Sequence, residues 1–92
     1  MASNFQLFHY QNRDTLHLHM HGDFDGTSAY ELINALKNQI KKNLAIFIDT
    51  NDINQIHAFG IDVFQNNLNM KVKNKVNLIF IGKHKHSFTT RN

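Results

Sequence analysis

The sequence predicts a small α/β domain with a mixed sheet and the element order β-β-α-β-α-β. Three observations carry that expectation. Thr15–His21 alternates strictly between polar and apolar residues, with histidine at His17, His19 and His21. The apolar residues after Ser28 recur at helical spacing, and so do those after Ala58. Between and after these stretches lie two short continuous apolar runs, Leu44–Ile48 and Val76–Ile81. Strands separated by helices require crossover connections, and these make at least part of the sheet parallel.

The first strand is Phe5–Tyr10, apolar and polar by turns, ending at the turn-like cluster Gln11-Asn12-Arg13-Asp14. In the second strand Leu16, Leu18 and Met20 share one face, and His17, His19 and His21 share the other. A period of two marks a half-buried strand, and the pair reads as a hairpin. Gly22-Asp23-Phe24-Asp25-Gly26 breaks it. Thr27 or Ser28 then opens a helix, with Ser28 and Glu31 spaced as a capping box. Ala29, Leu32, Ile33, Leu36 and Ile40 form its apolar stripe, and Lys41-Lys42 suit the negative end of its dipole.

Leu44–Ile48 has the character of a central strand covered on both faces. Asp49–Gln55 reads as a polar loop, anchored to the core by Ile53 and Ile56. A second helix is expected from about Ala58 to Met70, its buried stripe marked by Ile61, Phe64, Leu68 and Val72. Val76–Ile81 is the fourth strand, stopped by Gly82. Residues 1–82 therefore form one domain, and 83–92 read as a basic, flexible tail without periodicity.

Composition narrows the function classes. The 92 residues include no Cys, which excludes disulfides, thiolate metal sites and thiol nucleophiles. No apolar run approaches the roughly 20 residues of a membrane helix, and the first residues show no signal-peptide pattern. The default compartment is the cytoplasm. Charge is split along the chain. Residues 1–70 carry four cations against all seven acids, while 71–92 carry six cations and no acid. That basic segment reads as solvated. Nucleic-acid binding, which would use interleaved aromatics and Arg, is not expected.

Several side-chain groups merit a chemical reading. His17, His19 and His21 lie on one strand face about 6.5–7 Å apart. That spacing suits two ligands on a zinc or nickel ion more easily than three. The alternative is a solvent-facing histidine row whose metal binding is adventitious, with no cofactor. Asp23, Asp25, Asp49 and Asp52 fall near the C-terminal ends of strands, where α/β sheets form sites. Carboxylates there serve as acid, base or magnesium ligands, or simply cap helices and form turns. No nucleophile or phosphate loop accompanies them, and Gly22 and Gly26 do not make a dinucleotide fingerprint. A triad of His57, an aspartate and Ser87 has no support in the spacing, and no enzyme activity is expected. Phe59 lies off the second helix's apolar stripe, either over the end of the core or as an exposed anchor.

The pattern Leu16-x-Leu18-x-Met20-x-Gly22-Asp23-Phe24-Asp25, a helix, Ile46-Phe47-Ile48-Asp49, seven residues and then His57-Ala58-Phe59-Gly60-Ile61 resembles the STAS domain. That is the family of bacterial anti-sigma factor antagonists and of the cytoplasmic domains of sulfate transporters. Gly22-Asp23-Phe24-Asp25 stands where the family reads G-x-L-D, Asp49 ends the third strand, and Ile56, Gly60 and Ile61 flank the signature loop. The resemblance covers about residues 4–82. It implies a STAS-like fold and a regulatory role played through a protein partner. The family's regulatory serine is absent: its positions hold Ala58 and Phe59, and His57 replaces the preceding Asp. The nearest hydroxyl along the loop is Thr50. The family also continues with a further helix, strand and helix. A chain ending here is expected to be a minimal variant, or to have its sheet edge covered by another chain, in a homodimer for example.

These readings define the expected function: a non-enzymatic protein-interaction module without the serine switch. Its partner, an anti-sigma-factor-like or related regulator, is expected to meet Asp23, Asp25, Asp49, His57, Ala58, Phe59 and Ile61. The alternatives are a metal-binding protein using His17, His19 and His21, or an accessory subunit of a transporter.

Overall fold

The computed structural model describes residues 4–38, 45–68 and 77–89. Its elements are β1 (Gln6–Gln11), β2 (Thr15–Phe24), α1 (Gly26–Asn38), β3 (Ala45–Ile56), α2 (Ala58–Asn67), β4 (Asn77–Ile81) and α3 (Lys85–Thr89). The four strands form one mixed sheet in the order β1-β2-β3-β4. β1 is antiparallel to β2, while β3 runs parallel to both β2 and β4. The predicted order β-β-α-β-α-β is observed, followed by one short helix. Ile40, Lys41, Lys42, Leu44, Met70, Val72 and Val76, which entered the sequence reading, lie outside the described residues.

The alternation in β2 decides which way the sheet faces. Leu16, Leu18 and Met20 are buried, and they join Ile46 and Ile48 of β3 beneath α1 and α2. α1 contributes Ala29, Leu32, Ile33 and Leu36, as its spacing predicts. At 1.5–3 kcal/mol for each large apolar side chain, this inner face is the main source of stability. Among the described residues the outer face has no comparable cover: Thr15, His17, His19, Ala45, Phe47 and Asp49 are half-buried. The expectation that Leu44–Ile48 would be covered on both faces is thus corrected. Phe47 is shielded instead by its neighbour on β2, the His17 ring, stacked on it at 5.1 Å.

Three further expectations change. Asp49–Gln55 is not a loop: β3 continues to Ile56. The β2–β3 ladder shifts register twice, between His19 and His21 and between Gly22 and Phe24. Such shifts insert extra residues into one strand, so side-chain parity changes along it. That is why Ile53, odd-numbered, is buried like Ile46 and Ile48. Gly22 sits between the two shifts at φ +100°, a conformation that L side chains rarely adopt.

On α2 the buried residues are Gly60, Val63 and Phe64, with Ile61 and Leu68 at the margin of the core. The stripe is therefore rotated from the one expected. Residues 83–89 are not a loose tail either. α3 places Phe88, 4% exposed, among Phe24, Phe64 and Phe80 at ring-centroid distances of 4.8, 6.1 and 5.1 Å. The packed unit extends past residue 82 because one aromatic anchors the short helix. A single core residue leaves no periodicity to read. Buried Thr50 fixes the turn before α3: its hydroxyl donates to the Ile81 carbonyl and accepts the His84 N–H.

Candidate functional site

The end of β2 brings together the starts of two helices. The N–H of His57, which precedes α2, donates to the Phe24 carbonyl at 2.9 Å. One residue past the end of β2, Asp25 caps α1. Its carboxylate accepts the Ser28 N–H at 3.0 Å and the Ser28 hydroxyl at 3.1 Å, and its carbonyl accepts the Ala29 N–H. The helix thus starts at Gly26 with Asp25 as cap, not at Thr27 or Ser28, and the Ser28–Glu31 capping box is not formed. Ser28 is buried instead, its hydroxyl also donating to the Asp23 carbonyl.

Partial burial pushes the Asp25 carboxyl up, but hydrogen bonds from the Ser28 N–H, the Ser28 hydroxyl and the Thr27 N–H are among the opposing effects, which prevail. The group lies below its ordinary value. A carboxyl lowered by folding contributes stability that is fully present above its unfolded-state pKa, near 4, and is lost as pH falls through the lower folded value. Asp25→Ala is expected to cost about 1 kcal/mol at neutral pH, as for other lost caps. Thermal melts at pH 7 and at pH 3 check this: the difference between wild type and variant should shrink at the lower pH.

Between these helix starts lies an open groove of about 400 Å³, lined by Asp25, Gly26, Thr27, Tyr30, Phe59 and Val63. Phe59 is 71% exposed and Tyr30 53% exposed. A Cβ on Gly26 would lie 3.0 Å from the Phe59 ring, so the ring rests over the first residue of α1. The groove therefore has two aromatic walls, an apolar floor at Val63 and one carboxylate at its edge.

The residues expected to contact a partner divide unequally. Asp25 and Phe59 line the groove. His57 and Ala58 are exposed at the start of α2, and half-buried Asp23 adjoins Asp25. Ile61 is half-buried and packs against the core, which leaves less of it to offer. Asp49 belongs elsewhere. It lies opposite His19 on the outer sheet face, seven residues of strand before Ile56, roughly 20 Å at the usual rise. Thr27, Tyr30 and Val63 were missed because none belongs to a motif. Tyr30 is the one that left a readable signal, as an aromatic off the Ala29, Leu32, Ile33 and Leu36 stripe of α1.

His17, His19 and His21 do share the outer face of β2, but each has different surroundings. His17 stacks on Phe47. The His19 ring lies between two carboxylates, 2.5 Å from Asp52 through Nε2 and 3.3 Å from Asp49 through Nδ1. His21 is exposed. Among the described residues, no three His, Asp or Glu side chains are gathered to hold a metal ion.

Solved structures share this fold. The chain superposes on the crystal structure of Mglu with a TM-score of 0.66 at 15% identity, over 79% of this chain and 18% of that one. It also superposes on the anti-sigma factor antagonist SpoIIAA in its unphosphorylated form, with a TM-score of 0.54 at 14% identity, over 76% of this chain and 64% of that one. The fold is STAS-like. This chain spans less than two thirds of either protein. No family model matches it, and no curated protein matches it in sequence. The groove is formed where Asp25 and the start of α1 meet the start of α2, two of the places where the sequence resembles the STAS pattern. Among the described residues, no helix is long and apolar enough to cross a membrane.

Proposed function

We propose that this chain is a non-enzymatic regulatory module that binds a protein partner through the groove between the starts of α1 and α2. The observation that carries the reading is Phe59: a large aromatic on the first turn of a helix, 71% exposed and set beside a second exposed aromatic, Tyr30. Hydrophobic anchors flanked by a few polar groups are the usual energetic centres of protein interfaces. The STAS-like fold supports a regulator of the anti-sigma-factor type, or a related protein, as the partner.

The sequence at this groove also bears on control. α2 starts His57-Ala58-Phe59, with no hydroxyl where the family carries its serine. Thr50, on β3 and the nearest hydroxyl before α2 in sequence, is fully buried and engaged at both lone pair and proton. Association is therefore set by partner abundance and not by phosphate at the start of α2.

The test begins with capture of partners on the wild-type chain, followed by purification of the captured protein and calorimetry against wild type and variants. Phe59→Ala should weaken binding by about 30-fold or more, the effect of a hot-spot truncation near 2 kcal/mol. Asn66→Ala, exposed on α2 away from the groove, should leave affinity unchanged. Equal affinity of wild type and Phe59→Ala would reject the groove as the docking surface.

A further inference from the structure

The edge strand β1 presents a second interaction surface. Its backbone orientation follows from the hairpin. The Asn12 N–H donates to the Thr15 carbonyl at 2.9 Å, one step beyond the last ladder pair, Gln11 opposite Leu16. In an antiparallel ladder, hydrogen-bonded and non-hydrogen-bonded pairs alternate. Tyr10, Phe8 and Gln6 therefore turn their N–H and C=O groups toward β2. Leu7, His9 and Gln11 turn theirs outward, to an edge with no neighbouring strand among the described residues.

Edge strands are normally blunted by charge, proline, a bulge or brevity. β1 has none of these: it is six residues long, Gln-Leu-Phe-His-Tyr-Gln, with no charged residue, and it pairs with β2 without a register shift. It also exposes two aromatics on the outer sheet face, Phe8 at 52% and Tyr10 at 66%.

We propose that two copies of this chain associate through β1, edge to edge and antiparallel, about a two-fold axis at His9. The occupant is a second copy because the strand is complementary to itself in that register. His9 lies opposite His9 of the second copy, and Leu7 opposite its Gln11. These are the residues whose backbone groups face outward, so about six hydrogen bonds form across the axis. Phe8 then lies opposite Tyr10 of the second copy, and Tyr10 opposite its Phe8, on the same outer face. Non-hydrogen-bonded pairs make the closest side-chain approach, and aromatic pairs there are favourable. A slip by one residue would put outward-facing backbone groups out of line and break both aromatic pairs. The result is one continuous eight-stranded sheet. This surface is separate from the Phe59 groove, and the inference stands whether or not the groove binds a partner.

Analytical ultracentrifugation over a wide concentration range should give a mass rising to twice that of a single chain. His9→Pro removes an outward N–H at the axis without touching the β1–β2 ladder, a place where an edge strand tolerates proline. It should weaken the dimer at least tenfold while the circular-dichroism melt stays near that of wild type. Phe8→Lys should weaken the dimer similarly. Register is read by cross-linking, since the chain has no cysteine of its own. Phe8→Cys mixed with Tyr10→Cys should form the intermolecular disulfide readily, because the opposed Cα atoms would be about 4.5 Å apart, within disulfide reach. Either variant alone should form it poorly. A single-chain mass at every concentration would overturn the proposal, and so would a dimer that both His9→Pro and Phe8→Lys leave intact.

Discussion

Phe24→Ala is expected to destabilise the fold by about 3–5 kcal/mol, the range for truncating a fully buried phenylalanine. The ring is 0% exposed at the end of β2. It meets Phe5 edge-on at 6.1 Å and Phe88 edge-on at 4.8 Å. Removing it leaves a void between the sheet and α3, and Phe88 has no other core residue on its own short helix to hold it in place. Domains of this size have about 5–15 kcal/mol of stability in total, so the loss is a large fraction of it. At about 4–8 °C per kcal/mol for a 60–100-residue domain, the melting temperature should fall by at least about 12 °C. Phe59→Ala, at an exposed ring, should move it little. The contrast separates the two aromatics, one holding the fold and the other offered at its surface.

Gly60→Ala gives the second large effect, and its sign is what makes it informative. Intrinsic helix propensity alone predicts that replacing glycine by alanine inside a helix stabilises by about 1 kcal/mol. At Gly60 the new Cβ would lie 2.8 Å from the Asp25 carbonyl carbon and 2.9 Å from its Cα and oxygen. Those atoms are backbone, fixed by the cap on α1 and by the neighbouring Phe24–His57 hydrogen bond, so they do not yield as a flexible side chain would. Overpacking of this kind costs about 1–3 kcal/mol, and the net result is a loss of stability. Chemical denaturation of wild type and Gly60→Ala checks the sign. Because the first turn of α2 would be pushed away from Asp25, the variant should also widen the groove and weaken partner binding.

These two residues show how far the sequence could be read. Phe24 was not legible as core: the sequence alternation ends at His21 and Gly22-Asp23-Phe24-Asp25-Gly26 reads as a break, whereas β2 continues through it to Phe24. Gly60 was legible only through the STAS-like signature, because a close backbone approach leaves no trace in composition or periodicity. The strand, helix and strand order was readable because β2, α1 and the first half of β3 each bury a regular stripe. The second half of β3 was not, since its two register shifts break the period of two and leave Asp49–Gln55 looking like a loop. α3 escaped for a similar reason: Phe88 alone commits it to the core. At the site, Asp25 and Phe59 were found from their motif positions. Thr27 and Val63 enter only when two helix starts meet, which is a tertiary event, and Tyr30 was marked only by its place off the α1 stripe. Asp49 was drawn to the site by its place in the family pattern. The length of β3 puts it on the other face of the sheet, beside His19.

The groove reading stands or falls on where a bound partner touches the chain. Two-dimensional amide NMR of the isotope-labelled chain, titrated with the purified partner, reads that directly. The account predicts that the largest shifts fall on Gly26, Thr27, Tyr30, Phe59, Gly60 and Val63, with His17, Phe47 and Ile79 of the outer sheet face unmoved. Shifts centred on the outer face, with the groove residues silent, would contradict it.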